Sequence, residues 1–187
     1  MAPWQSLAEQ GVAELRAAVL AVDEGAVDSL TDAIVAANRI ALHGVGREGL
    51  MMRALAMRLF HLGLQAHVVG DMTTPPLGKG DLLLVSAGPG HFGTVAALVE
   101  TASAAGARTA CFTAQPGGAV PKACDLVVLL PAQTMADDRQ PAAASVLPMG
   151  SLYEGVQFIA FELLVLRLRD RLGETAETMR ARHTNLE

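Results

Sequence analysis

The residues best suited to chemistry gather at two glycine-rich turns and near the end of the chain. The first turn is Gly44-Val45-Gly46-Arg47-Glu48-Gly49, directly after the apolar run from Arg39 to His43. Gly44 and Gly46 let the backbone approach a ligand, and Arg47 offers a guanidinium fork to an anionic or hydroxylated group. A surface arginine beside a sharp turn fits the same residues. The pattern is not the dinucleotide fingerprint, because its third glycine is misplaced and no acidic residue closes the following strand. The second turn is Ser86-Ala87-Gly88-Pro89-Gly90-His91, after Asp81 to Val85. Ser86 ends a strand, so its hydroxyl is expected to face the cleft. Gly88 and Gly90 again allow close approach, and Pro89 removes one backbone donor. His91 is either a polar ligand contact or a solvent-facing residue at a helix start. A helix following each turn would aim free N–H groups and its positive dipole end at a polar ligand.

Glu154 is the candidate base. A carboxylate beside an apolar stretch can take a proton from one carbon and return it to the next, as carbohydrate isomerisation requires. The spacing Ser151-Leu152-Tyr153-Glu154 equally fits a capping box. His183, close to the end of the sequence, either shuttles protons between hydroxyls or lies on the surface. His43, His61 and His67 read as structural. Cys111 and Cys124 sit among apolar neighbours and read as buried free thiols. No His, Cys or carboxylate cluster has metal-ligand spacing, so no metal is expected.

The elements that must position these groups follow from periodicity. Helical spacing of apolar residues runs from Ser6 to Val22, Ala26 to Asn38, Leu50 to Leu62 and His91 to Ala105. Short apolar runs at Arg39–His43, Ala66–Val69, Leu82–Val85, Ala107–Thr113 and Leu126–Leu130 read as strands. Alternating strands and helices predict an α/β fold with five parallel strands covered on both faces, and a ligand outside their carboxyl ends. Residues 131–150 read as a long mobile loop, a lid or an interface segment. Ser151 then opens a long helix to about Leu172. Its apolar stretch Val156 to Leu166 is interrupted by Gln157 and Glu162 and is too short to span a bilayer.

The 187 residues favour a single domain. Hydrophobic residues make up 51% and charged residues 18%, so part of the surface is expected to be covered by a partner subunit. A net charge of −5 without any basic block argues against nucleic acid as a partner. No signal-peptide pattern opens the sequence, and a soluble cytoplasmic protein is expected.

Taken together, these segments resemble the 6-phospho-3-hexuloisomerase family of the sugar isomerase (SIS) domain superfamily, from about Arg39 to Glu187. The resemblance rests on Gly44-Val45-Gly46-Arg47, Ala56 to Leu64, Val69 to Pro75 with Thr73 and Thr74, Gly80 to Ser86, Gly150 to Glu154, and Arg182 to Glu187. It implies a flavodoxin-like, three-layer α/β/α sandwich assembled as a homotetramer, a dimer of dimers, with active sites near subunit boundaries. It also implies interconversion of a 3-ketohexose 6-phosphate with fructose 6-phosphate through a cis-enediol, in the ribulose monophosphate route of formaldehyde handling. No cofactor is implied. Glu154 matches the base, and His183, given by a neighbouring subunit, matches the ring-opening or proton-relay histidine. Thr73 and Thr74 join the turn residues as substrate-binding candidates.

The sequence departs from the family at the turns. Glu48 stands where the family has Ser, and Ser86-Ala87-Gly88-Pro89-Gly90-His91 stands for Ser-Gly-Ser-Gly-x-Thr. Hydroxyls that would hold phosphate are missing at Glu48, Pro89 and Phe92, and a carboxylate at position 48 would repel phosphate. Two outcomes are open: a changed site that takes a non-phosphorylated or amino sugar or merely binds one, or a Glu48 that swings away and leaves phosphate to backbone amides.

Overall fold

In the computed structural model, residues 2–138 and 145–186 are described. Two helices, α1 (Trp4–Leu20) and α2 (Glu24–Ala36), precede the sheet. The sheet strands are β1 (Ile40–His43), β2 (Ala66–Val68), β3 (Leu82–Ser86), β4 (Arg108–Thr113) and β5 (Leu126–Leu129). Between and after them run α3 (Gly46–His61), α4 (Gly93–Ala104), α5 (Ala119–Ala123), α6 (Ser151–Leu172) and α7 (Ala176–Ala181). All pairings are parallel, in the order β2-β1-β3-β4-β5. The strand order reverses between β1 and β3, so the loops after these two strands diverge and leave a crevice at their carboxyl ends. Both glycine turns lie there.

The alternation of side chains across the strands explains the two core layers. Ile40, Leu42, Leu82, Leu84, Ala110 and Phe112 point to one face, where α2, α3 and α6 bury Leu30, Ile34, Met52, Leu59, Val156 and Leu164. Ala41, Leu83, Val85 and Cys111 point to the other, under Val95 and Val99 of α4 and Val120 of α5. Phe112 and Phe161 meet with ring centroids 4.7 Å apart, linking β4 to α6. The three-layer α/β/α architecture agrees with the sequence reading. The α4 helix starts two residues later than expected, at Gly93, so His91 stays in the loop.

By length and composition the helical segment Pro148–Leu172, α6 with the turn before it, would suffice to cross a membrane, whereas its apolar stretch was expected to be too short. Its buried residues, Leu152, Tyr153, Val156, Phe161, Leu164 and Leu168 among them, nevertheless form part of the domain core. Cys111 is a buried free thiol and Cys124 is half-buried.

The segment expected to be a mobile loop is tied down on both described flanks. The Glu14 carboxylate of α1 accepts from the Ser145 hydroxyl at 2.6 Å and from the Val146 N–H at 3.0 Å. Thr134 donates to Asp137 at 2.9 Å, and the Met149 N–H donates to Asp138 at 3.0 Å. The part of that expectation that concerns residues 139–144 lies outside the described residues.

Candidate active site

A crevice of about 310 Å³ lies between the start of α3 and the start of α6, lined by Val45–Glu48, Pro89, Phe92, Thr134, Met135, Pro148–Ser151, Tyr153 and Glu154. It opens into a wider depression of about 560 Å³ that shares Pro89, Phe92, Met135 and Met149 with it. The α6 end is positioned by a sharp turn. Gly150 takes φ 78°, and a β-carbon there would lie 2.4 Å from the Met135 nitrogen. Only glycine combines that conformation with that closeness.

Glu154 lies on the first turn of α6 with its side chain 14% exposed, and its Oε2 sits 3.3 Å from Arg47 Nε. The contact is an ion pair rather than an aligned hydrogen bond, so Oε2 keeps its lone pairs without a hydrogen-bond donor among the described residues. The capping-box alternative fails: Gly150, not Ser151, is the residue that caps α6, and no side chain caps it. Burial pushes the Glu154 carboxyl above its ordinary value, Arg47 draws it down, and the nearby Glu48 charge pushes it up again. A carboxylate with a raised pKa at the wall of a cleft has the properties of a general base. Arg47, 67% exposed, is the one cationic side chain lining the crevice among the described residues.

Glu48 turns inward. Its Oε2 accepts from the Ser86 hydroxyl at 2.5 Å and from the Gly88 N–H at 3.0 Å. The Ser86 hydroxyl therefore does not face the cleft as expected. It is fully buried, accepting from Gln157 Nε2 at 2.8 Å and lying 3.3 Å from the Tyr153 hydroxyl. Ser86 has a single proton, which goes to the carboxylate, so the Tyr153 O–H donates to Ser86. The reason for the inward turn is supply: β3, the turn after it and α6 present two hydroxyls, a backbone N–H and an amide side chain in a buried site. Burial pushes the Glu48 carboxyl up, and the Ser86 and Gly88 donors pull it down.

The remaining candidates separate. Gly46 lines the crevice with φ 58°, while Gly44 lies beneath it against Glu48, Gly49 and Met52. Gly88 packs on Glu48 and Tyr153. Gly90 packs on Gln115 and Gly118, a structural contact rather than a cleft wall. His91 is exposed and outside the lining, its place taken by Phe92. Thr73 and Thr74 are not brought to the crevice. They line a different groove, with Arg53, Met57, Phe60 and His67, because Thr74 Oγ1 is anchored to the Val68 carbonyl at 2.6 Å beside edge strand β2. The His183 ring lies on that of His61, with centroids 5.3 Å apart, at the end of α3 opposite the crevice. A helix of that length separates His183 from the Glu154 of the same chain by roughly 20 Å. Among the described residues no group of three or more His, Cys, Asp or Glu could hold a metal ion.

Tyr153 and Gln157 were not singled out from sequence as site residues. The one available signal was Gln157 itself, a polar residue inside the most apolar helical run, where a buried amide needs partners.

Comparison with known proteins agrees with this geometry. The SIS domain family matches residues 33–156. The 3-hexulose-6-phosphate isomerase of Mycobacterium gastri is 42% identical over 166 residues, covering 89% of this chain and 82% of the relative. The protein of the same name from Bacillus subtilis (strain 168) is 33% identical over 174 residues, covering 93% and 94%. A hypothetical protein from Methanococcus jannaschii, whose crystal structure infers a molecular function of 3-hexulose-6-phosphate isomerase, superposes with a TM-score of 0.81 at 29% identity over 98% of both chains. With a doubly wound sheet, a carboxylate over its crevice and relatives aligned over nearly their whole length, the chain belongs to the SIS domain family and, within it, to the 6-phospho-3-hexuloisomerase family.

Proposed function

We propose that the chain interconverts 3-hexulose 6-phosphate and fructose 6-phosphate, with Glu154 as the base. The carrying observation is the Glu154 carboxylate, shielded at the crevice wall and paired with Arg47 while its Oε2 has no hydrogen-bond donor among the described residues. In the direction of fructose 6-phosphate, Glu154 takes the proton from C2 of the 3-keto sugar. The electron pair moves into a C2–C3 double bond, and the C3 carbonyl oxygen takes a proton from water to become a hydroxyl of the cis-enediol. The C2 hydroxyl then releases its proton to water as the C2 carbonyl forms, and the double-bond electron pair takes the proton back from Glu154 at C3. No redox partner is needed, since one carbon is oxidised as its neighbour is reduced. Arg47 faces the sugar's negative charge.

His183 serves the crevice of a neighbouring copy in this reading, since it lies at the wrong end of its own chain's α3. The apolar residues left exposed on α3 and α6, Met57, Phe60, Phe158, Leu163 and Leu166, support burial against other copies in a tetramer. A cytoplasmic location fits this metabolic role.

The test is a coupled assay for fructose 6-phosphate formation, with solvent-deuterium incorporation into the sugar as a second readout. Glu154→Gln should reduce kcat by about 10²- to 10⁴-fold, the usual contribution of a general base. Full activity in that variant would end the assignment. One observation favours a second reading, a sugar without phosphate: the carboxylate of Glu48 already sits on the Gly88 amide. Thermal stabilisation by fructose but not by fructose 6-phosphate would select it.

A further inference from the structure

The geometry points to Glu48 as a specificity-determining residue: its carboxylate is an internal anion that closes the Ser86–Gly90 part of the β3–α4 turn to the substrate's phosphate. The turn looks like an anion cradle in sequence, but from Ser86 to Gly90 each of its donors has a partner in the protein. The Ala87 N–H donates to the Phe112 carbonyl at 3.0 Å, the Gly88 N–H to Glu48, and the Gly90 N–H to the Ala87 carbonyl at 2.8 Å. Pro89 has no N–H. The Ser86 hydroxyl is given to the same carboxylate.

Space is closed as well as donors. A β-carbon at Gly88 would lie 2.8 Å from Glu48 Oε1 and 2.9 Å from the Tyr153 ring, so a side chain at position 88 and the inward Glu48 exclude each other. A glycine at 88 and a glutamate at 48 form a matched pair. Two anions in one low-dielectric site repel each other strongly, so phosphate could enter only by ejecting Glu48 and breaking both its bonds. The substrate's phosphate is thereby excluded from the Ser86–Gly90 segment, and among the described residues Arg47 is the cation that remains for it along the crevice.

This inference rests on the reading that the crevice takes a sugar phosphate, but it is tested separately. Backbone amide resonances of the intact oligomer are followed by TROSY NMR while inorganic phosphate, and then fructose 6-phosphate, is added. In the wild type neither probe should move the Gly88 amide. In Glu48→Gln, where a neutral side chain of the same shape keeps the Gly88 contact, it should stay equally unresponsive. In Glu48→Ser, inorganic phosphate should produce a saturable shift at Gly88. A saturable Gly88 shift in the wild type with either probe overturns the inference, and so does a folded Glu48→Ser variant whose Gly88 amide ignores phosphate. If Glu48→Ser does not fold, the wild-type and Glu48→Gln titrations decide. Loss of the isomerase reading would show instead as absence of turnover, with the inorganic phosphate response at Gly88 unaffected.

Discussion

Replacing Ser86 with alanine tests the buried network that joins the two turns. The Ser86 hydroxyl donates to Glu48 at 2.5 Å, accepts from Gln157 at 2.8 Å and lies 3.3 Å from Tyr153. Removing one oxygen leaves almost no cavity, so the effect is polar. Glu48 loses a hydrogen bond to a charged group, a contribution of about 1.5–3 kcal/mol. Gln157 is completely buried and its Oε1 has no partner among the described residues, so an orphaned Nε2 adds about 1–3 kcal/mol. The Tyr153 contact is long and adds little. The expected destabilisation is about 3–5 kcal/mol, a large share of the roughly 5–15 kcal/mol that holds a typical domain folded. Urea unfolding at matched protein concentration measures it, since assembly would otherwise shift the midpoint. Ser29→Ala is the control, because Ser29 bonds to the Gly25 carbonyl of its own helix on an exposed face and should cost within about 0.5 kcal/mol. A Ser86→Ala cost no larger than that of the control would refute the network as described.

Further tests follow from the same geometry. Glu154 must be ionised to act, so activity should fall as pH drops through a value above the ordinary glutamate pKa; Arg47 and Glu48 face it from α3, and Tyr153 is beside it on α6. Burial is the main cause of the raised pKa, but Glu48→Gln removes a charge that adds to it and should move the acid limb of the kcat profile to lower pH, whereas Arg47→Met should move it up; shifts of the opposite sign would reject the coupling. Mixed oligomers made from Glu154→Gln and His183→Ala subunits should recover activity that neither parent has, and failure to do so after verified exchange would place His183 outside the reaction. Gly150→Ala forces a β-carbon to within 2.4 Å of the Met135 nitrogen at φ 78°, and should cost about 2 kcal/mol or more in thermal or urea unfolding; a neutral result would show that the crevice floor is not as tight as it looks.

The sequence alone determined the architecture, because its signals are local. Apolar runs of strand length, helical periodicity and glycine at strand ends repeat within a few residues, and they located β1 to β5 and both turns. It also brought Arg47 and Glu154 forward, since a guanidinium after Gly46 and a carboxylate in the first turn of a long helix are visible as types in positions. Only the tertiary structure decided where Glu48 and Ser86 point. Their partners arrive from 38 to 71 residues away, through Gly88, Tyr153 and Gln157. Nothing near position 48 in the sequence announces a buried hydroxyl in reach, so an acidic side chain at a turn reads as a cleft wall. The same limit applied to Thr73 and Thr74, carried off with edge strand β2, and to His183, which α7 sets against His61 at the far end of α3. A turn's conformation is fixed by its own residues, but the destination of a polar side chain is fixed by which distant donors the fold brings to it.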